Sequence, residues 1–572
     1  MSNILVINPG HNGSAAFWQH DKLKFYIEEE RLSRYKYDGN PYRGMVEALQ
    51  YGVDILVITG TSEELPRLAW TGEDPYTAFL RKFNPKLKTI NIGADHHFAH
   101  ACSAFVNSGF SKAAAVIIDG AGSRRGIKVS DEVTNYGFET ETIFDCCWDD
   151  GFTRKYTVYG GNPDTFLAAS DSIYMDSSVT LVKAYEAVSE YLGFTFIEAG
   201  KTMGLAPYGQ KDDSIPNLFV DGKANRNMLI PNYPAGAHID YNRIEKLRLK
   251  EDPKAWHTDP SKVTEEAMNL AWSVQQETQE LAGDLIEKAV DMTGKKNIVI
   301  AGGYGLNCVA NYYYKKRFPD LNIYVDPVSH DGGTTIGTGI YFWNKEYESK
   351  LKRPLTTLYL GPERKENYDL LENYDTKDVT PADVAKLISE KNIVTIFQGR
   401  SEAGPRALGN RSILYDPTDP QGKDVVNKVK GREWFRPFAG SMLKEYFEEW
   451  FETYGMEESP FMMYAMDFKL EKHGECPAIT HVDGTCRIQT VTKEQNKTYH
   501  TLIDEFRKIT GVPILFNTSF NLAGEPLVET LDDAMRTIKN SDINYLYLPE
   551  QGLLVKYPYN DSVVEEVEEE AA

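Results

Sequence analysis

Short apolar runs that end in glycine-containing turns recur along the first 350 residues of the chain. Residues 4–7, 114–118 and 298–301 are such runs, and each is followed by a polar turn that contains glycine. Runs of this length between turn residues predict buried strands. Residues 15–18 and 24–27 predict two further strands that return from the first turn.

Other segments have the spacing of helices. Apolar residues recur every three or four positions between Val263 and Leu285, which predicts an amphipathic helix that Gly294 can end. Thr380 followed by Pro381 predicts the start of another helix, with the threonine as N-cap and the proline in the first turn. The alternation of strands and helices predicts an α/β fold.

A polar segment at residues 349–354 predicts a boundary between two domains, residues 1–354 and 355–572. Residues 393–397 predict an early strand of the second domain. The stretch 123–177 is rich in Tyr, Asp, Gly and Thr, and it predicts a loop-dominated insertion or lid.

Charge and composition restrict the class of protein. The 572 residues carry 62 Lys and Arg against 84 Asp and Glu, a net charge of −22. Six of these acids lie in residues 561–572, which predicts a solvated acidic tail, and the acidic body disfavours a long sequence-independent DNA footprint. No apolar run approaches the ~20 residues that span a bilayer, and the N-terminus lacks the features of a signal peptide, so we expect no membrane association. Six cysteines without a CxxC pair favour a cytoplasmic location.

Three of the eleven histidines fall within five residues, at His96, His97 and His100. Asp95 can cap a helix in which His96 and His100 are four residues apart and therefore share one face. Two imidazoles on one face can chelate a divalent metal, with a carboxylate as the expected further ligand and iron or another non-thiophilic ion as the metal. A solvated or buried histidine cluster without metal is the alternative.

Four glycine-bearing turns suggest a nucleotide site: residues 8–14, 119–122, 302–307 and 331–335. Glycines let backbone N–H groups approach phosphate closely, and an aspartate at a strand end, such as Asp119, can hold a cation or its water. Lys201 lies in a segment without P-loop spacing and is a candidate phosphate contact or a surface lysine. Each turn taken alone is also compatible with an ordinary chain reversal.

The second domain contains a basic segment in an acidic protein. Residues 400–436 hold eight Lys and Arg against five Asp and Glu. Guanidinium groups mixed with glycine, as in residues 398–412, are typical of polyphosphate binding. A salt-bridged surface and a nucleic-acid contact are the alternatives.

These motifs resemble those of the O-carbamoyltransferases of the nodulation-protein-U and cephamycin type, which include the tobramycin enzyme. The matching stretches occur in the same order over nearly the whole chain: residues 10–16, 28–31, 96–101, 200–206, 301–307, 398–412, 430–438, 516–521 and 524–526. The resemblance implies a first domain of the actin/sugar-kinase/Hsp70-like superfold, similar to the tRNA threonylcarbamoyl-transfer proteins. It implies an α+β second domain of the YrdC-like fold.

The resemblance also implies a reaction in two steps. Carbamoyl phosphate and ATP, with Mg²⁺, form carbamoyl adenylate in the YrdC-like domain. A hydroxyl group of an acceptor then takes the carbamoyl group in the first domain, and AMP leaves.

The first-domain residues receive roles from the same resemblance. His96, His100 and Asp331 match a site for Fe(II) or another divalent metal that holds the adenylate phosphate. His11 lies where the family has a histidine beside the acceptor, and an imidazole there is a suitable general base or a substrate-orienting group.

Gly302, Gly303 and Asn307 match the nucleotide loop of the transfer site. Asp119 and Lys201 are further nucleotide-binding candidates there.

The adenylation site receives its candidates from the second domain. Lys430, Arg436 and Arg487 match carbamoyl-phosphate contacts, and three more residues are assigned to the carbamoyl phosphate and ATP site: Arg406, Arg411 and Asn517. Both cosubstrates are anions, so a site that joins them needs several fixed cations.

The acceptor is left open by the sequence. We expect a hydroxylated small molecule, and the hydroxymethyl group of a modified base such as 5-hydroxymethylcytosine in viral DNA is the alternative. Nucleic acid therefore enters only as an acceptor substrate. A metal-dependent oxygenase and a nucleotide-binding ATPase switch are the competing functions, and the oligomeric state is not predicted.

Overall fold

The computed structural model describes residues 2–62, 65–69, 71–128, 134–161, 167–168, 173–177, 179–232, 236–248 and 252–557. The acidic tail predicted at 561–572 lies outside these residues. None of the helices in the described ranges is both long and apolar enough to cross a bilayer.

The first described sheet has five strands in the order β3-β2-β1-β4-β5. The strands are antiparallel from β3 to β1 and parallel from β1 to β5. Its strands are β1 Asn3–Asn8, β2 Ser14–Gln19, β3 Lys22–Glu28, β4 Ile55–Ile58 and β5 Lys88–Asn91. The helices of this part are α1 Glu29–Ser33, α2 Tyr42–Leu49, α3 Pro75–Arg81 and α4 His96–Ser108. The predicted strands 4–7, 15–18 and 24–27 are thus β1, β2 and β3.

The second described sheet has eight strands and places β6, β16 and β17 side by side and parallel. Its strands are β6 Lys112–Ile118, β7 Arg124–Lys128, β8 Thr134–Cys147, β9 Gly151–Gly161, β10 Leu167–Ala168, β11 Ile173–Ser177, β16 Asn297–Ala301 and β17 Asn322–Val325. Two small hairpins lie between β11 and β16 in the chain: β12 Phe219–Val220 with β13 Lys223–Ala224, and β14 Leu229–Pro231 with β15 Ala237–Ile239. The helices are α5 Leu181–Tyr191, α6 Ala199–Leu205, α7 Lys254–Thr258, α8 Glu265–Thr293, α9 Cys308–Arg317 and α10 Thr334–Glu346. The predicted helix from 263 is α8, which ends at Gly294 in the left-handed conformation.

The prediction of a loop-dominated stretch at 123–177 is wrong for its described residues. β8 and β9 form a long antiparallel hairpin that extends the second sheet beside β6. Phe144 and Cys146 of β8 are buried against α4, which accounts for the strand despite the polar and glycine-rich composition. Residues 129–133, 162–166, 169–172 and 178 lie outside the described residues.

The third described sheet has nine strands in the order β18-β26-β25-β19-β20-β24-β21-β23-β22. The strands are β18 Asp375–Asp378, β19 Val394–Phe397, β20 Arg411–Tyr415, β21 Ala439–Leu443, β22 Ala465–Asp467, β23 Thr485–Val491, β24 Ile514–Ser519, β25 Tyr545–Leu548 and β26 Leu553–Lys556. The helices are α11 Pro381–Ser389, α12 Gly422–Lys430, α13 Phe447–Trp450, α14 Lys493–Thr510 and α15 Leu531–Lys539. Thr380 caps α11 as predicted, because its side chain accepts the Asp383 N–H.

Apolar side chains from the third-sheet region complete the core of the first 354 residues. Phe435 is fully buried in the cluster that covers the second sheet, and its ring lies 5.9 Å from that of Phe194. Trp434 packs edge-on against Tyr208 with 4.9 Å between ring centres. The two predicted domains therefore share a packed interface.

Candidate functional site

Three segments bring their polar side chains to the carboxyl edge of the parallel strands. Asp119 follows β6, and Asp331 lies in the 3₁₀ turn that follows β17 and leads into α10. His96 begins α4, and His100 lies one turn further along the same helix face. The end of parallel strands is where open α/β sheets place their ligands.

The four side chains form a buried cluster with its ligand atoms within 4.8 Å of one another. His96 Nε2 lies 3.4 Å from Asp331 Oδ1 and 3.6 Å from Asp119 Oδ2. His100 Nε2 lies 3.6 Å from the same Asp331 oxygen. The histidine pair thus lies beside Asp331, the carboxylate that the family resemblance implies as a ligand. Asp119, which the sequence analysis assigned to nucleotide binding, lies in the same cluster.

Burial and mutual attraction shift the pKa values of His96 and Asp331 in opposite directions. Burial lowers the pKa of His96, but the charges of Asp331 and Asp119 raise that pKa well above its ordinary value. Burial alone would raise the pKa of Asp331, yet His96 and His100 hold it well below its usual range. The backbone fixes the His96 ring, whose Nδ1 lies 2.9 Å from the Gly60 carbonyl oxygen.

Asp95 does not cap α4 as the sequence predicts. It occupies the N-cap position without a side-chain cap hydrogen bond, and its carboxylate pairs with Arg125 of β7 and Arg154 of β9. Both competing partners lie on strands of the stretch 123–177, which the sequence analysis predicted to be loop-dominated.

His11 lies at the open side of the cluster. Its Nε2 is 3.5 Å from Asp331 Oδ2, and its side chain is 58% exposed while that of Asp331 is 5% exposed. Its Nδ1 lies 3.0 Å from the side-chain oxygen of Asn12. A solvent-facing imidazole beside this buried histidine–carboxylate cluster can meet an incoming substrate.

The glycine loop after β16 borders the same cluster. Gly302 has φ +91°, and a Cβ there would lie 2.2 Å from the Ile118 carbonyl oxygen, so only glycine fits. Gly303 N–H donates to Asp119 Oδ1 at 3.1 Å. The Asn307 side chain accepts the Ala310 N–H, so its amide caps α9.

Lys183 and Glu186 of α5 face the turn after β6, and the sequence reading missed both. A Cβ at Gly120 would lie 2.7 Å from Glu186 Oε1 and 3.3 Å from Lys183 Nζ. These residues lie on an ordinary amphipathic helix, so no motif distinguished them.

Lys201 has a different neighbourhood from the one the sequence suggested. Its Nζ lies 2.7 Å from Glu198 and 2.6 Å from Glu433, a residue of the second predicted domain. The lysine therefore links the two parts of the chain through carboxylates.

The second cluster is formed by bases of the third-sheet region. Lys430 ends α12, is buried, and its Nζ donates to the Asn521 carbonyl at 2.8 Å and to the Asn521 side-chain oxygen at 3.1 Å, as well as to the Ser519 carbonyl. Burial, Arg432 and Arg436 lower the pKa of Lys430 well below its ordinary value. Neutral oxygens thus hold the Lys430 Nζ close to two positively charged guanidinium groups.

Four arginines cluster beside this lysine. The charges of Arg432 and Arg436 act on Lys430 directly, and Arg406 and Arg487 lie next to those arginines. Burial and the neighbouring Arg487 lower the pKa of Arg406 to about 9. The buried Nε atoms of Arg406, Arg432 and Arg487 have no hydrogen-bond partner among the described residues. Crowded cations with unused donors are the arrangement that a polyanion would satisfy. Arg432 was counted with the basic segment but not assigned a role by the sequence.

Arg411 and Asn517 lie apart from this cluster. Arg411 is 2% exposed, stacks 3.7 Å over the Phe397 ring, and donates to backbone carbonyls that include those of Gln398 and Glu529. Asn517 donates to the Ala407 carbonyl and to Ser441 Oγ within the sheet. Both side chains brace the loop that carries Arg406.

Models of one protein family match both parts of the chain. The model described as carbamoyltransferase N-terminus matches residues 67–340, and the model described as carbamoyltransferase C-terminus matches residues 385–555. The chain belongs to the carbamoyltransferase family. The two clusters described above lie one in each matched region, apart from His11.

Curated relatives of this carbamoyltransferase cover most of its length. An uncharacterized protein of Synechocystis sp. is 33% identical over 96% of each chain. Nodulation protein NolNO of Sinorhizobium fredii is 31% identical over 94% of this chain and 78% of the relative. Nodulation protein U of Rhizobium tropici is 35% identical over 41% of this chain and 40% of the relative.

Solved structures give a weaker likeness. Full-length HypF in a phosphate- and nucleotide-bound form has 12% identity and a TM-score of 0.34, with 60% of this chain and 55% of HypF covered. A glucokinase of the ROK family from Streptomyces griseus, in complex with glucose and AMPPNP, has 10% identity and a TM-score of 0.27, with 59% and 98% covered. The family assignment rests on the sequence comparisons.

Proposed function

We propose that this carbamoyltransferase makes carbamoyl adenylate from carbamoyl phosphate and Mg²⁺-ATP at the basic cluster and transfers the carbamoyl group to an acceptor hydroxyl beside His11. The observation that carries the proposal is the cluster of buried Lys430 with four arginines, three of which have a buried Nε atom without a hydrogen-bond partner among the described residues. Such a site is costly to fold unless anions occupy it in use.

The proposed adenylation needs two anions held together. An oxygen of the carbamoyl group attacks the α-phosphorus of ATP, the bond from that phosphorus to the β-phosphate oxygen breaks, and pyrophosphate leaves. Before this step, water attacks the phosphorus of carbamoyl phosphate and the phosphorus–oxygen bond to the carbamoyl group breaks, which gives carbamate as the attacking group and phosphate as the second product. Fixed guanidinium groups neutralise the charge that gathers on these leaving groups.

The His96, His100, Asp119 and Asp331 cluster fits a divalent metal. Two imidazole nitrogens and two carboxylates are a donor set for Fe(II) or another non-thiophilic ion, and burial with close approach of the two carboxylates would otherwise be unfavourable. Such an ion supplies Lewis-acid stabilisation of charge on a phosphate. The Gly303 N–H donates to Asp119 Oδ1 and so helps to hold this carboxylate in the donor set.

The transfer step uses His11. The acceptor oxygen attacks the carbamoyl carbon, the carbon–oxygen bond to AMP breaks, and the acceptor proton moves to the His11 imidazole. Its exposure leaves room for an acceptor that arrives from solvent.

We further propose that residues 1–354 adopt an actin/sugar-kinase/Hsp70-like fold and residues 355–572 a YrdC-like fold. The two mixed sheets of the first part and the separate nine-stranded sheet of the second support this division. The six cysteines, all buried and unpaired, support the proposed cytoplasmic location.

The proposed acceptor is a hydroxylated small molecule. The net charge of −22 disfavours a long contact with a nucleic acid. Hydroxymethylated DNA is for this reason the second candidate and not the first.

The test is incubation with ATP, carbamoyl phosphate and a panel of alcohols, with pyrophosphate and product mass as readouts. Carbamoylation adds about 43 Da to the acceptor that is used, as expected for covalent transfer of one such group. A duplex that carries 5-hydroxymethylcytosine belongs in the panel, and no gain on the duplex removes DNA as acceptor. Failure to release pyrophosphate with both cosubstrates present contradicts the adenylation step.

A further inference from the structure

The acidic and basic residues 28–31 belong to a motif shared with the family, and neither proposed site uses them. Glu29 accepts the N–H groups of Arg43 and Gly44 at the start of α2, and Glu30 accepts the Tyr37 N–H. These two acids fix local chain turns. Glu28 and Arg31 are buried, with side chains 5% and 2% exposed, and Arg31 Nε also lies 3.7 Å from Glu30 Oε1.

Arg31 reaches from α1 into the loop that carries Arg406. Its Nη2 donates to the Gly404 carbonyl at 2.7 Å, and its Nη1 donates to the Glu402 carbonyl at 3.4 Å. Glu402 Oε1 in turn accepts the backbone N–H groups of Leu408, Asn410 and Arg411. Hydrogen bonds within the loop therefore fix its conformation, and Arg31 of α1 anchors it to the first sheet region.

Glu28 contacts both Arg31 and His330, which precedes the metal-ligand candidate Asp331. Arg31 Nη2 donates to Glu28 Oε2 at 3.2 Å, and Glu28 Oε1 lies 3.0 Å from His330 Nε2. His330 Nδ1 accepts the Gly332 N–H at 3.1 Å, so the neighbours of Asp331 on both sides belong to one hydrogen-bonded turn.

Packing joins the same two segments a second time. Gly404 has φ +81°, and a Cβ there would lie 3.2 Å from Val328 Cγ2 and 3.5 Å from the Pro327 carbonyl oxygen. A shift of the loop would press on the segment that leads to His330.

We propose that Arg31 and Glu28 are positioning residues that couple the loop that carries Arg406 to the turn that contains Asp331. Through this coupling, binding of anions at the basic cluster changes the transfer site. The coupling rests on the proposed function, because it assumes that carbamoyl phosphate and ATP bind beside Arg406. It needs no displacement of chain over long distance, since each link is a direct contact between buried groups.

The experiment measures backbone hydrogen exchange of residues 326–334 in the full chain. The ligands are carbamoyl phosphate with α,β-methylene-ATP, in which the bond to be broken is inert. In the wild type, we expect the two ligands to slow exchange in this segment by about threefold to tenfold. Arg31→Lys keeps the positive charge but loses the two-pronged guanidinium, and Glu28→Gln keeps the side-chain volume but loses the negative charge. In each variant, the ligands should slow exchange in this segment by less than about twofold.

Arg34→Met is the matched control. Arg34 lies one turn from Arg31 and also donates to carbonyls across the interface, those of Pro526 and Leu527, but through a different segment. This variant should keep the exchange response of residues 326–334. Loss of the response in Arg34→Met as well would show a general loosening of the interface and overturn the coupling.

Pyrophosphate release with ATP and carbamoyl phosphate separates this inference from the proposed function. If the wild type releases pyrophosphate and Arg31→Lys and Glu28→Gln keep the full exchange response, the coupling is wrong and the function stands. If the wild type shows the exchange response but releases no pyrophosphate, the adenylation is wrong and the coupling stands. If one variant does not fold, the other decides.

Discussion

The guanidinium of Arg406 donates a hydrogen bond of 3.3 Å to the carbonyl oxygen of Leu306. Leu306 lies in the glycine loop beside the metal-ligand candidates, and Arg406 belongs to the basic cluster. The two proposed sites are therefore neighbours across the interface. An adenylate made at one would have a short distance to travel, which limits its loss to water.

Lys430→Met should abolish most adenylate formation, because it removes a buried ammonium from the centre of the basic cluster. We expect pyrophosphate release to fall about 10²- to 10³-fold. Lys428→Met is the control, since Lys428 lies on the same helix but is exposed. Equal losses in both variants would point to charge in general rather than to the buried position.

Asp119→Asn should weaken metal binding, since its carboxylate lies in the buried ligand set. Metal titration of the purified protein should show an affinity lower by about 10- to 100-fold. His97→Gln is the matched control, because His97 is also buried on α4 but bonds Thr142 outside the cluster. Unchanged affinity in Asp119→Asn would remove this residue from the site.

His11→Ala should block transfer and spare adenylate formation. Carbamoylation of the identified acceptor should fall about 10²- to 10⁴-fold, while pyrophosphate release stays near the wild-type rate. His20→Ala, at the exposed turn between β2 and β3, should change neither step. A comparable fall in both steps for His11→Ala would contradict separate sites.

The Lys201–Glu433 contact predicts a pH-dependent share of stability. Burial would raise the pKa of Glu433, but Lys201 and the charge of Arg436 lower it from 4.5 to about 2. A depressed carboxyl pKa stabilises the fold above the unfolded value, and the contribution is lost as pH falls toward the folded value. Because the pair is partly solvated, we expect Lys201→Met to cost about 1 kcal/mol near neutral pH.

The pH test compares the free energy of unfolding of the wild type and Lys201→Met. The difference should shrink between about pH 5 and pH 3. Lys211→Met, which removes an exposed pair with Asp213, should show a smaller difference throughout. A difference that grows as pH falls has the wrong sign for this contact.

Local pattern was a good guide to elements and a poor guide to side-chain direction. Apolar spacing predicted the strands β1, β2 and β16 and the helix α8. Each strand is a buried apolar run, and the helix buries one apolar face. The pairing of His96 and His100 followed from helix geometry alone. The hairpin β8–β9 did not, since its strands depend on pairing with β6 and packing under α4.

The basic segment shows the same limit. Lys430, Arg436 and Arg406 converge, while Arg411 of the same segment points into a nest of backbone carbonyls. The side chains of neighbouring loop residues point in different directions because of contacts with strands that are distant in the sequence. The density of basic residues alone therefore could not show which of them join the cluster. The sequence did not predict the role of Asn521 as a hydrogen-bond acceptor for Lys430, because that role depends on the position of the Lys430 Nζ in the fold.

Phe435 and Trp434 are inserted among aromatic rings of the other half, as described above. Each half alone would present this apolar surface to water and would tend to aggregate. The polypeptide should accordingly melt in a single cooperative transition, and a chain split near residue 354 should recover its activity only when both pieces are produced together.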